Sequence, residues 1–142
     1  MEASVLAPGM PRPLLSASLW TLLACWAGAI LWLSSLTPRE LPDAAFYVSD
    51  KANHFIAFAV GGWLAASALR FSRPQAPRGR QILAAIVLVA VFGAVDEGLQ
   101  TFTPGRTGGD VYDWIADFLG AVAGSLLTIL THARFERFIA RP

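Results

Sequence analysis

The chain has 142 residues, of which 55% are hydrophobic and 15% charged, and its formal net charge is +1. A mean hydropathy of +0.52 is too apolar for an ordinary soluble domain of this length, and so small a net charge argues against nucleic acid as a partner. One membrane domain is expected to use the whole chain, with no room for a second.

Residues 1–13 read as a short N-terminal tail carrying Arg12. The first apolar stretch runs from Leu14 to Leu36. A helix needs about 20 residues at 1.5 Å rise each to cross roughly 30 Å of hydrocarbon, and this stretch suffices. Its apolar core exceeds the ~7–15 residues of a cleaved signal, so it reads as a retained helix. Cys25, the single cysteine, lies mid-span, where a small core hydrophobe is the expected role.

The second span, 52–69, opens in the motif DKANHFIAF, Asp50 to Phe58. On a helix Asp50 and His54 share a face, with Phe58 one turn further. Lys51 is the only lysine beside ten arginines. Its ammonium is a compact charge whose pKa shifts readily, which guanidinium does not offer. The plainer reading is a lysine snorkelling at a helix start.

The connection RFSRPQAPRGR leads to the third span, about 82–102, which ends in GAVDEGLQTFTPGR, Gly93 to Arg106. Asp96 and Gln100 are four apart on one face, while Glu97 points about 100° round the helix. Adjacent carboxylates at this depth repel unless a cation or proton separates them, a recurrent property of functional sites. The structural alternative is an ion pair of Asp96 or Glu97 with Lys51 or Arg106. Pro104-Gly105 is a turn signal that stops the helix.

The fourth span, about 114–131, follows DVYDWIADFLGAVAG, Asp110 to Gly124. Asp110, Asp113 and Asp117 form an acidic stripe, in which the first two are candidate N-terminal caps and Asp117 is too deep for one. Ala116, Gly120 and Gly124 repeat every four residues, as close helix packing requires. Residues 132–142 form a C-terminal tail.

Eight Lys or Arg residues fall on the side of the termini and the middle connection, and three (Arg39, Lys51 and Arg106) on the other. The positive-inside rule then places both termini in the cytoplasm of an inner-membrane, multi-pass protein, and the polar cluster at the extracytoplasmic ends of spans two to four. Ionisable groups at membrane depth default to a functional reading.

The motifs DKxxHF, DExxQ, PGR and DxxxD with a following Gly, in that order, together with the LSSLTPRELP exit from the first span, resemble the VanZ-like family of small bacterial membrane proteins. The likeness covers roughly Leu33 to Gly124. It implies an all-α, four-helix membrane domain, and it places Asp50, Lys51, His54, Asp96, Glu97, Gln100, Arg106, Asp113, Asp117 and Gly120 on the family's motifs. Many relatives carry Asn where this chain has Asp117. The founding member is associated with low-level resistance to the glycopeptide teicoplanin, while the family's molecular activity is not established.

Three functional classes compete. A non-catalytic binder would recognise a membrane lipid, a lipid-linked envelope precursor or a partner protein through Asp50, Lys51, His54, Asp96, Glu97, Gln100, Arg106, Asp113 and Asp117. An enzyme acting on a phosphorylated lipid or glycan carrier would draw its catalytic groups from His54, Lys51 and Asp113, with a phosphate clamped by Lys51 and Arg106. A small transporter would need its site near the midplane. No metal-ligand spacing, nucleophile elbow or cofactor motif is recognisable, so neither metal nor cofactor is expected.

Overall fold

The computed structural model describes residues 12–139, with side chains described from 13 to 133. Most of the two expected tails, with the side chains of Arg12, Arg134, Arg137 and Arg141, lies outside the described residues. Among the described residues there are four α-helices: α1, Arg12–Ser35; α2, Asp50–Ser72; α3, Arg78–Gln100; and α4, Val111–Ile139. A short 3₁₀ turn, Asp43–Phe46, lies between the first two. No strand occurs among the described residues. Each helix has a run of 23 residues long and apolar enough to cross a bilayer.

Local chemistry sets the helix ends. The Ser49 hydroxyl accepts from the Ala52 backbone N–H at 3.3 Å and starts α2 ahead of its first polar residues. Pro77 precedes α3, where a missing N–H costs nothing. Asp110 caps α4, its carboxylate accepting from the Tyr112 N–H at 2.8 Å and satisfying one of the orphan donors of the first turn. The loop before it closes through Gly109, at φ +77°, a conformation that glycine adopts without a Cβ penalty.

The exterior is apolar and much of the interior small or polar. Along α3, Leu83, Val87, Val91 and Val95 form an exposed stripe at four-residue spacing. Ala65, Ala66, Ala68, Ala85, Ala121, Ser67 and Ser125 are buried. In lipid there is no hydrophobic gain from burying apolar faces against each other, so small residues that allow close backbone approach drive packing. α2 lies centrally against the other three helices, and among the described residues the backbones of α1 and α4 do not approach each other.

The seam between α2 and α4 is the tightest. A Cβ at Gly124 would lie 1.8 Å from the Ala59 carbonyl oxygen, one at Gly120 2.3 Å from that of Phe55, and one at Gly62 2.4 Å from that of Ala121. The small-residue repeat is therefore a packing device, as its spacing suggests. Trp26 ties α1 to this pair by donating from its indole to the Ala57 carbonyl at 2.9 Å. Cys25 departs from expectation: it is exposed on the outer face of α1, which contributes few buried residues of its own.

Candidate functional site

The first turns of α2 and α4 meet the last turns of α3 at one end of the bundle. His54 is central: its Nδ1 lies 2.8 Å from Asp117 Oδ1 and 4.0 Å from Glu97 Oε1, while its Nε2 is 4.0 Å from Asp50 Oδ1. The Asp117 carboxylate holds a proton on Nδ1 when His54 donates to it. Phe58, one turn deeper and 1% exposed, lies under His54 with ring centroids 6.5 Å apart and packs on Trp26 and Phe92. An aromatic floor thus separates the site from the rest of the bundle.

Lys51 bridges two carboxylates of the α4 start, reaching Asp110 Oδ2 at 2.9 Å and Asp113 Oδ1. The Lys51 ammonium beside Asp110 holds that carboxyl below the usual aspartate range, helped by the Tyr112 N–H. In the connection after α1, Glu40 is likewise held low by the hydroxyl and backbone N–H of Thr37, which closes the turn that leads the chain back over the site.

A third group joins α1 to α3. Ser34 donates to Asp96 Oδ2 at 2.9 Å, and Gln100 Nε2 lies 3.3 Å from Ser34 Oγ, 3.1 Å from Asp96 Oδ2 and 3.5 Å from Glu97 Oε1. The second Glu97 oxygen accepts from the Asp110 backbone N–H at 3.2 Å. Asp96, Glu97, Gln100, Asp113 and Asp117 are all buried. Arg106 donates to the Leu33 carbonyl at 3.2 Å, its buried Nε has no hydrogen-bond partner, and no carboxylate lies within ion-pair distance among the described residues.

Beside these groups lies an open cavity of about 750 Å³. Its walls are the ends of α1 and α2 and the 3₁₀ segment, with Ile30, Leu33, Leu41, Phe46, Val48 and Ile56, and Asp50, His54, Asp96, Gln100 and Arg106 give it a polar side. Asn53 holds the 3₁₀ segment in place by donating to the Ala45 carbonyl at 2.8 Å.

The sequence matches the VanZ/LLP1 family over residues 19–132, a range that includes all the site residues and nearly all of the four helices. The chain belongs to the VanZ/LLP1 family. Searches of curated proteins and of solved structures give no match. Family and fold together make the chain a multi-pass helical membrane protein.

In this VanZ/LLP1 chain the nine residues singled out from the sequence gather at one end of the bundle, but with different partners. The partner that orients His54 is Asp117, while Asp113 is held by Lys51. Lys51 does not pair with Asp96 or Glu97, and Arg106 lies on a backbone carbonyl instead. Asp110 alone of the two candidates caps α4. Glu97, expected to point away from Asp96, joins it through Gln100. α1, which carries none of the nine residues, supplies Ser34 and the Leu33 carbonyl. The signal for Ser34 was the pair of serines before the proline exit, polar residues inside an apolar span. At the opposite end, a second buried pair, Ser67 Oγ and His132 Nε2 at 3.1 Å, carried no motif to announce it.

Proposed function

We propose that this VanZ/LLP1 protein binds an amphipathic, phosphate-bearing envelope lipid or lipid-linked precursor, with its head group against Arg106 and His54 and its chains along the apolar cavity wall. One observation carries the reading: Arg106 stands on the polar side of a cavity whose other walls are apolar, its buried Nε without a hydrogen-bond partner and no carboxylate within ion-pair distance among the described residues. Guanidinium recognises phosphate through charge-assisted hydrogen bonds. The position of the cluster in the terminal turns of three helices favours a head-group site over a midplane transport site. The Lys/Arg asymmetry supports an inner-membrane location with this end outward, an orientation consistent with altered glycopeptide access in a bacterial envelope.

The test is lipid retention by the purified chain in nanodiscs containing anionic phospholipid and a polyprenyl phosphate. Native mass spectrometry should show a phosphate-bearing lipid held through detergent exchange, with Arg106→Gln retaining about tenfold less, as loss of one charged hydrogen bond implies. Equal retention by wild type and variant refutes the reading. Reporter fusions at residues 43 and 108 should be external and a fusion at residue 78 cytoplasmic.

The His54–Asp117 contact favours one second reading, a membrane enzyme acting on the same class of lipid. A carboxylate-oriented imidazole beside a phosphate site is the arrangement of a general base. Head-group release by reconstituted protein, lost in His54→Gln while the retention that Arg106 supplies persists, would establish it; retention without turnover leaves the binder.

A further inference from the structure

We propose that His54, Glu97 and Asp117 form a binding site for one divalent first-row transition cation of the Zn²⁺ or Mn²⁺ class. The inference is independent of the lipid reading. The donor atoms, His54 Nδ1, Glu97 Oε1 and Asp117 Oδ1, all lie within 4.8 Å of one another. They come one each from α2, α3 and α4, so no local spacing in the sequence reveals them.

Two of the three separations lie close to those of a bound ion. Metal–nitrogen and metal–oxygen bonds of about 2.0–2.2 Å place two ligands of one ion roughly 3–3.5 Å apart. The His54 nitrogen lies 2.8 Å from one carboxylate oxygen and 4.0 Å from the other, so small side-chain adjustments in opposite directions meet this requirement. An imidazole nitrogen with two carboxylate oxygens suits a borderline cation better than Mg²⁺ or Ca²⁺, which prefer oxygen alone.

Charge and hydrogen bonding supply independent reasons. The imidazole presents one proton at Nδ1 to two carboxylates. Asp117 is 0% exposed, and its second oxygen has no hydrogen-bond partner; neighbouring Asp96 is 1% exposed with Oδ1 also unpartnered. Uncompensated buried carboxylates are costly. Neither Lys51 nor Arg106 forms an ion pair with them, since Lys51 is engaged by Asp110 and Asp113 and Arg106 bonds a carbonyl, which leaves one imidazole between the Asp117 and Glu97 carboxylates. A bound dication supplies the missing positive charge.

The surroundings also have the form of an outer shell. Asp50 faces the other His54 nitrogen at 4.0 Å, and the Asp110 N–H bonds the second Glu97 oxygen at 3.2 Å. With Nδ1 on the ion, the Nε2–H turns toward Asp50, a carboxylate–histidine–metal relay that fixes the tautomer. His54 also lines the open cavity, which gives an ion a route in.

Untagged full-length protein in detergent, stripped with chelator and desalted, is titrated with ZnCl₂ and MnCl₂ by calorimetry, and bound metal is counted by plasma mass spectrometry. One ion per chain is expected for at least one of the two metals. Affinity should fall by about 10- to 100-fold or more in Glu97→Gln and Asp117→Asn, and stay at the wild-type value in Glu40→Gln. No uptake by wild-type protein, or equal affinity in folded Glu97→Gln and Asp117→Asn, overturns the proposal. Should neither variant accumulate, nitrogen coupling in the electron paramagnetic resonance spectrum of the Mn²⁺-loaded wild type decides: imidazole coupling supports the site, and its absence overturns it.

Discussion

Replacing Gly124 with alanine tests whether the α2–α4 seam governs the stability of the bundle. The added Cβ would start 1.8 Å from the Ala59 carbonyl oxygen, against the 3.4 Å at which ordinary contact begins, so the backbones must separate by about 1.6 Å locally. The obstructing atom is a helix carbonyl, which cannot rotate aside as a side chain can. Overpacking of this kind costs about 1–3 kcal/mol, and the rigidity of the neighbour puts the expected value in the upper half of that range. For a chain of 142 residues, where about 1 kcal/mol moves Tm by roughly 3 °C, Tm should fall by about 6–9 °C. Gly28→Ala is the matched control. A Cβ there meets nothing within 4 Å, and alanine's higher helix propensity should raise stability by about 0.5–1 kcal/mol. Thermal unfolding in detergent, followed by tryptophan fluorescence, reads both variants. A Gly124→Ala Tm within a degree of wild type would refute the claim that the seam has no slack.

Ser34→Ala should destabilise the protein by about 1–3 kcal/mol, because it removes a donor from buried Asp96; Ser35→Ala, one residue on and exposed, should change Tm little. Lys51→Met should lower Tm by stranding Asp113, and Asp113→Asn added to it should recover part of the loss, a non-additivity that a double-mutant cycle measures. Asp110 has a lowered pKa in the folded protein, so its stabilising contribution is present above its unfolded value of about 3.9 and is lost as pH falls through the folded one. Tm-versus-pH curves of wild type and Asp110→Asn should therefore converge on acidification below about pH 4, and a gap that widens there would contradict the assignment.

Much of the architecture is legible in the sequence because bilayer thickness fixes helix length, so four apolar runs translate directly into four helices. The lowest level of detail is less so. Helix spacing correctly puts Asp50 near His54 and Asp96 near Gln100, since four residues make one turn. It says nothing about which of several aspartates on another helix faces His54; the register of α2 against α4 sets Lys51 beside Asp113 and His54, one turn deeper, beside Asp117. Ser34 shows the same limit: a neutral hydroxyl among apolar neighbours carries no charge signal, yet it joins two helices. That Cys25 faces outward was not legible, because the few polar residues of α1 after Arg12 are neutral serines and a threonine that mark no one side as meeting the bundle.

The backbone-to-backbone approach of α2 and α4 divides the molecule mechanically. These two helices behave as one stiff spine, to which His54, Lys51, Asp113 and Asp117 are fixed. Ser34, Asp96, Glu97 and Gln100 sit on the other two helices, and Arg106 on the loop beyond them. α3 is tied in turn to α4 and the loop before it, through Trp114 donating to the Ala90 carbonyl and the Asp110 N–H to Glu97, which leaves α1 as the helix with no direct hydrogen bond to α4 among those described. The hydrogen bonds of Ser34 to Asp96 and of Arg106 to Leu33 couple α1 to α3 and its loop, so α1 cannot move away from α3 at this end without breaking them.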